Sequence, residues 1–198
     1  MNDGNSGPGA APAGRPKRAD AQRNQEALLE AAAAIFVRSG VEAPVRDIAA
    51  EAGVGTGTIY RHFPTRSDLI IAVYRHQVDA CAAAGPALLA AGPTPYAALG
   101  KWIDLFVDFM VTKHGLATVL QADNTDFAAL HAWFLDRLVP VCDQLLDAAA
   151  ATGESRSDLA GYELMRAVGN LCIGGYDNPC YDARRLVAVL VAGLRLPQ

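Results

Sequence analysis

Strand signals are nearly absent from this chain. No run alternates apolar and polar residues with β-branched side chains at a period of two, which excludes a core built on sheets. Charge is also sparse: 19% of residues are Asp, Glu, Lys or Arg against 52% apolar, with Ala dominant, a composition that favours closely packed helices. No uninterrupted apolar run approaches the roughly 18 residues of a membrane span, and no apolar leader follows Met1. The chain is therefore expected to be soluble and cytoplasmic, with no membrane partner.

The chemistry-bearing residues are equally thin. Four cysteines, Cys81, Cys142, Cys172 and Cys180, show no C-x-x-C spacing, so they read as reduced core residues rather than a disulfide framework. His62, His76, His114 and His131 are scattered without H-E-x-x-H or comparable spacing, and no metal site is expected. No nucleophile stands in a context such as G-x-S-x-G. Gly53, Gly55 and Gly57 resemble a phosphate-cradling loop only superficially, since no strand precedes them and no Lys follows. The chain is not expected to be an enzyme, and nothing calls for a cofactor.

The formal net charge of −4 is unevenly placed: residues 1–80 carry nine basic and nine acidic side chains, residues 81–198 eight and twelve. Nucleic-acid binding by the neutral half must then rest on locally placed arginines rather than bulk charge.

What is present is concentrated in residues 45–69. Ile48, Ala49 and Ala52 fall at helical spacing, Gly53 supplies a helix-ending turn, and Val54 plugs the corner. From Thr56 to Phe63 a second short helix buries Ile59 and Phe63, leaving Thr56, Thr58, Arg61 and His62 outward, and Pro64 stops it. Two helices around a glycine turn, the second with a small, hydroxyl-rich and basic face, suit insertion into a major groove.

This segment resembles the DNA-binding domain of the TetR family of bacterial transcriptional regulators. The resemblance spans about residues 21–80 and includes the first-helix run Ala27 to Phe36, Ser39-Gly40, the run Gly57 to Phe63, and Arg66-Ser67-Asp68-Leu69. Two departures occur: Ala43-Pro44 stands where a capping Ser or Thr is usual, and Gly55 replaces Ser before the recognition helix. The resemblance implies double-stranded operator DNA as partner. Thr56, Thr58, Arg61 and His62 then face the major groove, and Gly57 lets the backbone approach. Tyr60, Thr65, Arg66 and Arg46 hold phosphates. Arg61 is the candidate for a bidentate guanine contact.

Residues 1–19, rich in Gly, Pro and Ala, are expected to be disordered and end in Gly14-Arg15-Pro16-Lys17-Arg18. That run reads either as a solvated charge cluster or as a basic arm reaching the minor groove. Residues 20–66 form the helix-turn-helix domain. Residues 67–84 form a connecting helix capped by Ser67, with Gly85-Pro86 and Gly92-Pro93 punctuating the chain beyond it. Residues 85–198 then form a ligand-binding and dimerisation domain. Helices are predicted over about 95–113, closed by His114-Gly115, then 115–121, 125–151 with Pro140 inside, 157–174 and 181–195. The fold class is all-α, a three-helix helix-turn-helix domain followed by a larger helical domain.

Trp102, Phe106, Phe109, Met110, Phe127, His131 and Phe134 form a dense aromatic set in a domain otherwise built from Ala and Leu. Each reads as core or as lining of a pocket, and His131 as a satisfied core histidine or a ligand contact. By the resemblance, this region holds a small, mostly apolar effector, and the last two helices pair with a second copy in a homodimer. The function expected is a ligand-responsive repressor. An activator of the same fold is the alternative, followed by a helical binding protein or enzyme that retains a helix-turn-helix.

Overall fold

The computed structural model describes residues 15–119, 124–156, 158–173 and 180–196. Within these, the side chains at 15–21, 111–112, 115–119 and 124–127 lie outside the description. Eight helices occur among the described residues: α1 Arg15–Ser39, α2 Val45–Glu51, α3 Thr56–His62, α4 Arg66–Ala91, α5 Pro95–Val119, α6 Asn124–Ala151, α7 Gly161–Ile173 and α8 Ala183–Ala192. No strand is found among them; one isolated bridge joins Ser155 to Arg195. No described helix is long and apolar enough to cross a membrane.

The first three helices close on Leu28, Ala32, Ile35 and Phe36 of α1, Ile48 and Ala49 of α2, and Ile59 and Phe63 around α3, all buried. Removing such aliphatic and aromatic side chains from water contributes about 1.5–3 kcal/mol each. Gly53 has φ +66°, a backbone conformation unfavourable to a side chain bearing Cβ. The Val54 amide donates to the Ala49 carbonyl at 3.0 Å and locks the corner.

Helix α4 begins earlier than expected. Its N-cap is Thr65, not Ser67: the Thr65 hydroxyl accepts from the Asp68 amide, and the Asp68 carboxylate accepts from the Thr65 amide, a capping box. Leu69, Ile70 and Val73 then pack on the helix-turn-helix core, while Val78 and Cys81 continue the same buried stripe into the second domain.

Four boundaries differ from expectation. Helix α1 starts at Arg15, inside the segment predicted to be disordered; Pro16 is tolerated in a first turn, and the Ala- and Gln-containing run after it favours helix. Residues 1–14 lie outside the described residues. Helix α4 runs through Gly85-Pro86 to Ala91. Proline there removes one amide, but α6 crosses so closely that a Cβ on Gly85 would overlap the Val141 side chain; the apparent breaker is a crossing point. Helix α5 continues past His114-Gly115 to Val119, because an isolated glycine costs a helix only about 1 kcal/mol. Helix α7 starts at Gly161 rather than 157, where the Gly161 amide donates to Asp143 Oδ1 at 2.6 Å.

In the second domain α5 lies in the middle, its Trp102, Ile103, Phe106, Phe109 and Met110 all buried. The chain end is tied back to it. Tyr96 donates its hydroxyl to the Val191 carbonyl at 2.8 Å, and the Leu196 amide donates to the Glu154 carbonyl at 3.1 Å. Cys81, Cys142 and Cys172 are core residues as expected, whereas Cys180 lies at the surface.

Candidate nucleic-acid interface and effector cavity

Helix α3 sits on its apolar side. Ile59 is buried beneath it, and Thr56, Gly57, Tyr60, Arg61 and His62 are exposed, with Thr58 half-buried. Tyr60 is 52% exposed despite its size. Arg46, in the first turn of α2, has a side chain 81% exposed and only a long 3.4 Å contact with Asp47. The exposed groups of α3 and Arg46 of α2 are the hydroxyl, aromatic and basic kinds that phosphates and base edges require.

Two predicted contacts are placed elsewhere. Arg66 turns inward: its Nε donates to the Val41 carbonyl at 3.0 Å, and Nη2 donates to the carbonyls of Val41 and of Ala43, the latter at 2.6 Å. The guanidinium clips the turn before α2 onto the start of α4. Its fork is taken up by the Val41 and Ala43 carbonyls, which precede α2, an arrangement suited to positioning that turn. Thr65 is likewise occupied; its hydroxyl lies 2.7 Å from Asp68 Oδ2 within the capping box. The clip, unlike the exposed face of α3, joins residues 25 apart in sequence and has no local signature.

The second site is a cavity of about 330 Å³ between α5, α6 and α7. Helix α5 contributes Phe106, Met110, Lys113 and His114. Helix α6 contributes His131, Phe134 and Leu135, and α7 faces them with Tyr162, Met165, Arg166, Gly169, Asn170 and Ile173. Of the predicted set, Phe106, Met110, His131 and Phe134 line the space. Trp102 does not: it is fully buried behind the wall, stacks on Phe106 at 5.7 Å, and donates Nε1–H to the Cys81 carbonyl at 2.8 Å. Phe109 is also behind the wall, between Phe134 at 5.4 Å and Tyr74 of α4 at 5.1 Å. The Phe127 side chain lies outside the described residues.

Apart from His131, sequence reasoning does not reach the polar part of the lining. Residues 106, 110, 113 and 114 form one helical stripe, as do 162, 166, 169, 170 and 173, so the spacing is a visible signal; the facing of the two stripes is not. Lys113 Nζ stands 4.4 Å from the centre of the Phe134 ring. Burial, with the Arg166 charge adding to it, pushes the Lys113 ammonium down to about 8. His114 is held below the usual imidazole value by burial and then by Lys113. His131 is lowered by burial, Lys113 and Arg166.

A short helix presented outward on a helix-turn-helix, joined by one long helix to an all-α domain with a cavity between its helices, defines a DNA-binding transcriptional regulator. The chain belongs to the TetR family: residues 28–73 match the model of the bacterial regulatory proteins, tetR family, and residues 94–196 match the transcriptional regulator SbtR-like C-terminal domain. A TetR transcriptional regulator of Streptomyces coelicolor is 35% identical with a TM-score of 0.71, over 88% of this chain and 99% of that one. A TetR regulatory protein of Mycobacterium vanbaalenii is 31% identical with a TM-score of 0.65, over 91% and 100%. An HTH-type transcriptional regulator of Staphylococcus aureus is 28% identical over 122 residues, 61% of this chain; the match spans 66% of that relative, just under two thirds of its length. A regulator of Saccharomonospora viridis solved with choline shares the fold at 18% identity and a TM-score of 0.57, over 90% and 100%. The family and these relatives are transcriptional regulators.

Proposed function

We propose that this chain is a homodimeric, effector-responsive repressor that binds a palindromic operator through α3 in the cytoplasm. The observation that carries this reading is the continuous packing from cavity to DNA-binding unit: Phe134 lines the cavity, Phe109 stacks on it, Tyr74 packs at a tilt on Phe109, and Tyr74 belongs to α4, which packs on α1 and whose Arg66 holds the turn before α2. An effector that alters the α5–α6 spacing shifts α4, and with it the separation of two recognition helices across a dimer. A coupling of about 1–3 kcal/mol is enough to release an operator, and linkage requires the operator to weaken effector binding by the same factor.

The dimer reading is supported by the outer side of α8, where Leu186 and Val189 are exposed. Leu190, by contrast, packs against the core, so Val189 is the better probe. In this reading Arg61 reads a base, Thr56, Thr58 and His62 face the groove, Gly57 leaves the backbone open, and Tyr60 and Arg46 hold phosphates. Arg61→Ala is expected to cost about 1–3 kcal/mol of operator affinity and relax preference at one base pair. Val189→Asp is expected to give a folded monomer in size exclusion with light scattering. A wild-type monomer at micromolar concentration, or unchanged operator affinity in Arg61→Ala by fluorescence anisotropy, would refute the assignment.

A further inference from the structure

We infer that the cavity between α5, α6 and α7 is an anion site, taking a small organic acid whose carboxylate lies between Lys113 and Arg166. Its apolar body lies against Phe106, Phe134 and Met165. The inference rests on the effector reading above and replaces the expected mostly apolar effector with an amphipathic one of defined charge.

Four basic side chains meet at this space, Lys113 and His114 from α5, His131 from α6 and Arg166 from α7, and no acidic side chain lines it among the described residues. Among those residues no carboxylate is hydrogen-bonded or ion-paired to half-buried Lys113, nor to Arg166, which is exposed at the edge of the cavity, although other exposed arginines, Arg137 with Asp79 and Arg184 with Asp108, do hold carboxylates. A cation withdrawn from water needs a partner, or its charged form becomes unfavourable. The depressed Lys113 value, from burial and from Arg166, reports such a charge without a counter-charge. Only part of the cost is offset by the Phe134 ring face.

The rest of the lining suits the other end of such a molecule. Phe106 and Phe134 stack at 6.1 Å, and His131 stacks on Phe134 at 5.5 Å, so the α6 side is a wall of nearly parallel rings. A volume of about 330 Å³ is at the small end of ligand pockets, which fits a short chain or a single ring rather than a multi-ring compound. Tyr162 and Asn170 line the same space one turn to either side of Arg166 along α7 and offer neutral donors for a carboxylate.

The test is calorimetric titration of the full chain with matched pairs, octanoate against octanol and 3-phenylpropionate against 3-phenylpropanol, with choline as a cationic control. At least one acid is expected to bind about tenfold or more tightly than its alcohol, as a charge-assisted hydrogen bond implies, and choline is expected not to bind. The double variant Lys113→Met with Arg166→Met is expected to lose that preference while still binding the alcohol, which shows the cavity intact. Lys113→Met alone should raise the melting temperature of the ligand-free protein, since it removes the uncompensated charge. Equal affinity for acid and alcohol, or an acid preference that survives in the double variant, would overturn the anion assignment and leave the effector cavity standing. No binding by either member of either pair would overturn both.

Discussion

The helix-turn-helix and the cavity domain put their working residues in opposite places. In the first, seven-residue α3 buries one residue, Ile59, and turns its polar side chains to solvent. In the second, the candidate residues line a space between helices, buried or half-buried on the α5 and α6 side and exposed along part of α7, and each of three helices contributes a stripe. An outward face needs only a local pattern and a firm seat. An internal site needs three helices set at the right spacing, so it is coupled to the packing of the whole domain. That coupling suits one domain to recognition and the other to response.

Phe109→Ala is expected to have the largest effect. Phe109 touches the ring that lines the cavity and the ring that belongs to α4, so truncation removes the link between the regions and should cost about 3–5 kcal/mol in urea unfolding. If the regions were independent, the variant would keep its effector-induced loss of operator affinity; the expectation is that it loses that response.

Arg66→Ala comes next and tests the division within the first region. Two carbonyls, of Val41 and Ala43, would lose a charged donor, and hydrogen bonds to charged groups are worth about 1.5–3 kcal/mol. The expected result is lower stability and faster amide exchange over residues 41–48. Arg66→Lys should not restore it, because an ammonium cannot reproduce the fork. The slope of operator affinity against salt should stay unchanged in Arg66→Ala; a slope smaller by about one charge would return Arg66 to phosphate contact.

The smallest effect is a pH dependence. Lys113 is lowered from 10.5 to about 8 in the folded chain. Between those values the unfolded chain binds more protons, so folding gains stability as pH rises from 8 toward 10.5, and below 8 the full cost of charging Lys113 is present. The stabilisation by Lys113→Met should therefore be largest below pH 8 and shrink above it. His114 on the same helix, His131 from α6, and Arg166 and Tyr162 from α7 face this group; both histidines are lowered by Lys113 and are neutral above pH 8, so the difference in melting temperature isolates the lysine between pH 8 and 10.5.

Gly53, Val54, the Ile59–Phe63 spacing and Pro64 make the helix-turn-helix legible in the sequence, because every signal there acts over less than two turns. The aromatic stripe of α5 is legible as core for the same reason. Phe106 and Phe134 can be nominated for a pocket but not separated from Trp102 and Phe109, since all four are apolar residues at helical spacing. Only the rotation of α5 against α6 and α7 puts two of them in the wall and two behind it.

Short-range physics thus determined, from the sequence alone, the all-α class, the helix-turn-helix and the exposure of Thr56, Arg61 and His62 on α3. Tertiary structure decided three matters that depend on partners distant along the chain. Arg66 faces inward because the Val41 and Ala43 carbonyls lie within its reach. Helix α4 passes Gly85-Pro86 because Val141 of α6 packs where a side chain would stand. Lys113 and Arg166, 53 residues apart, share one cavity because α7 folds back onto α5, and no local pattern encodes that approach.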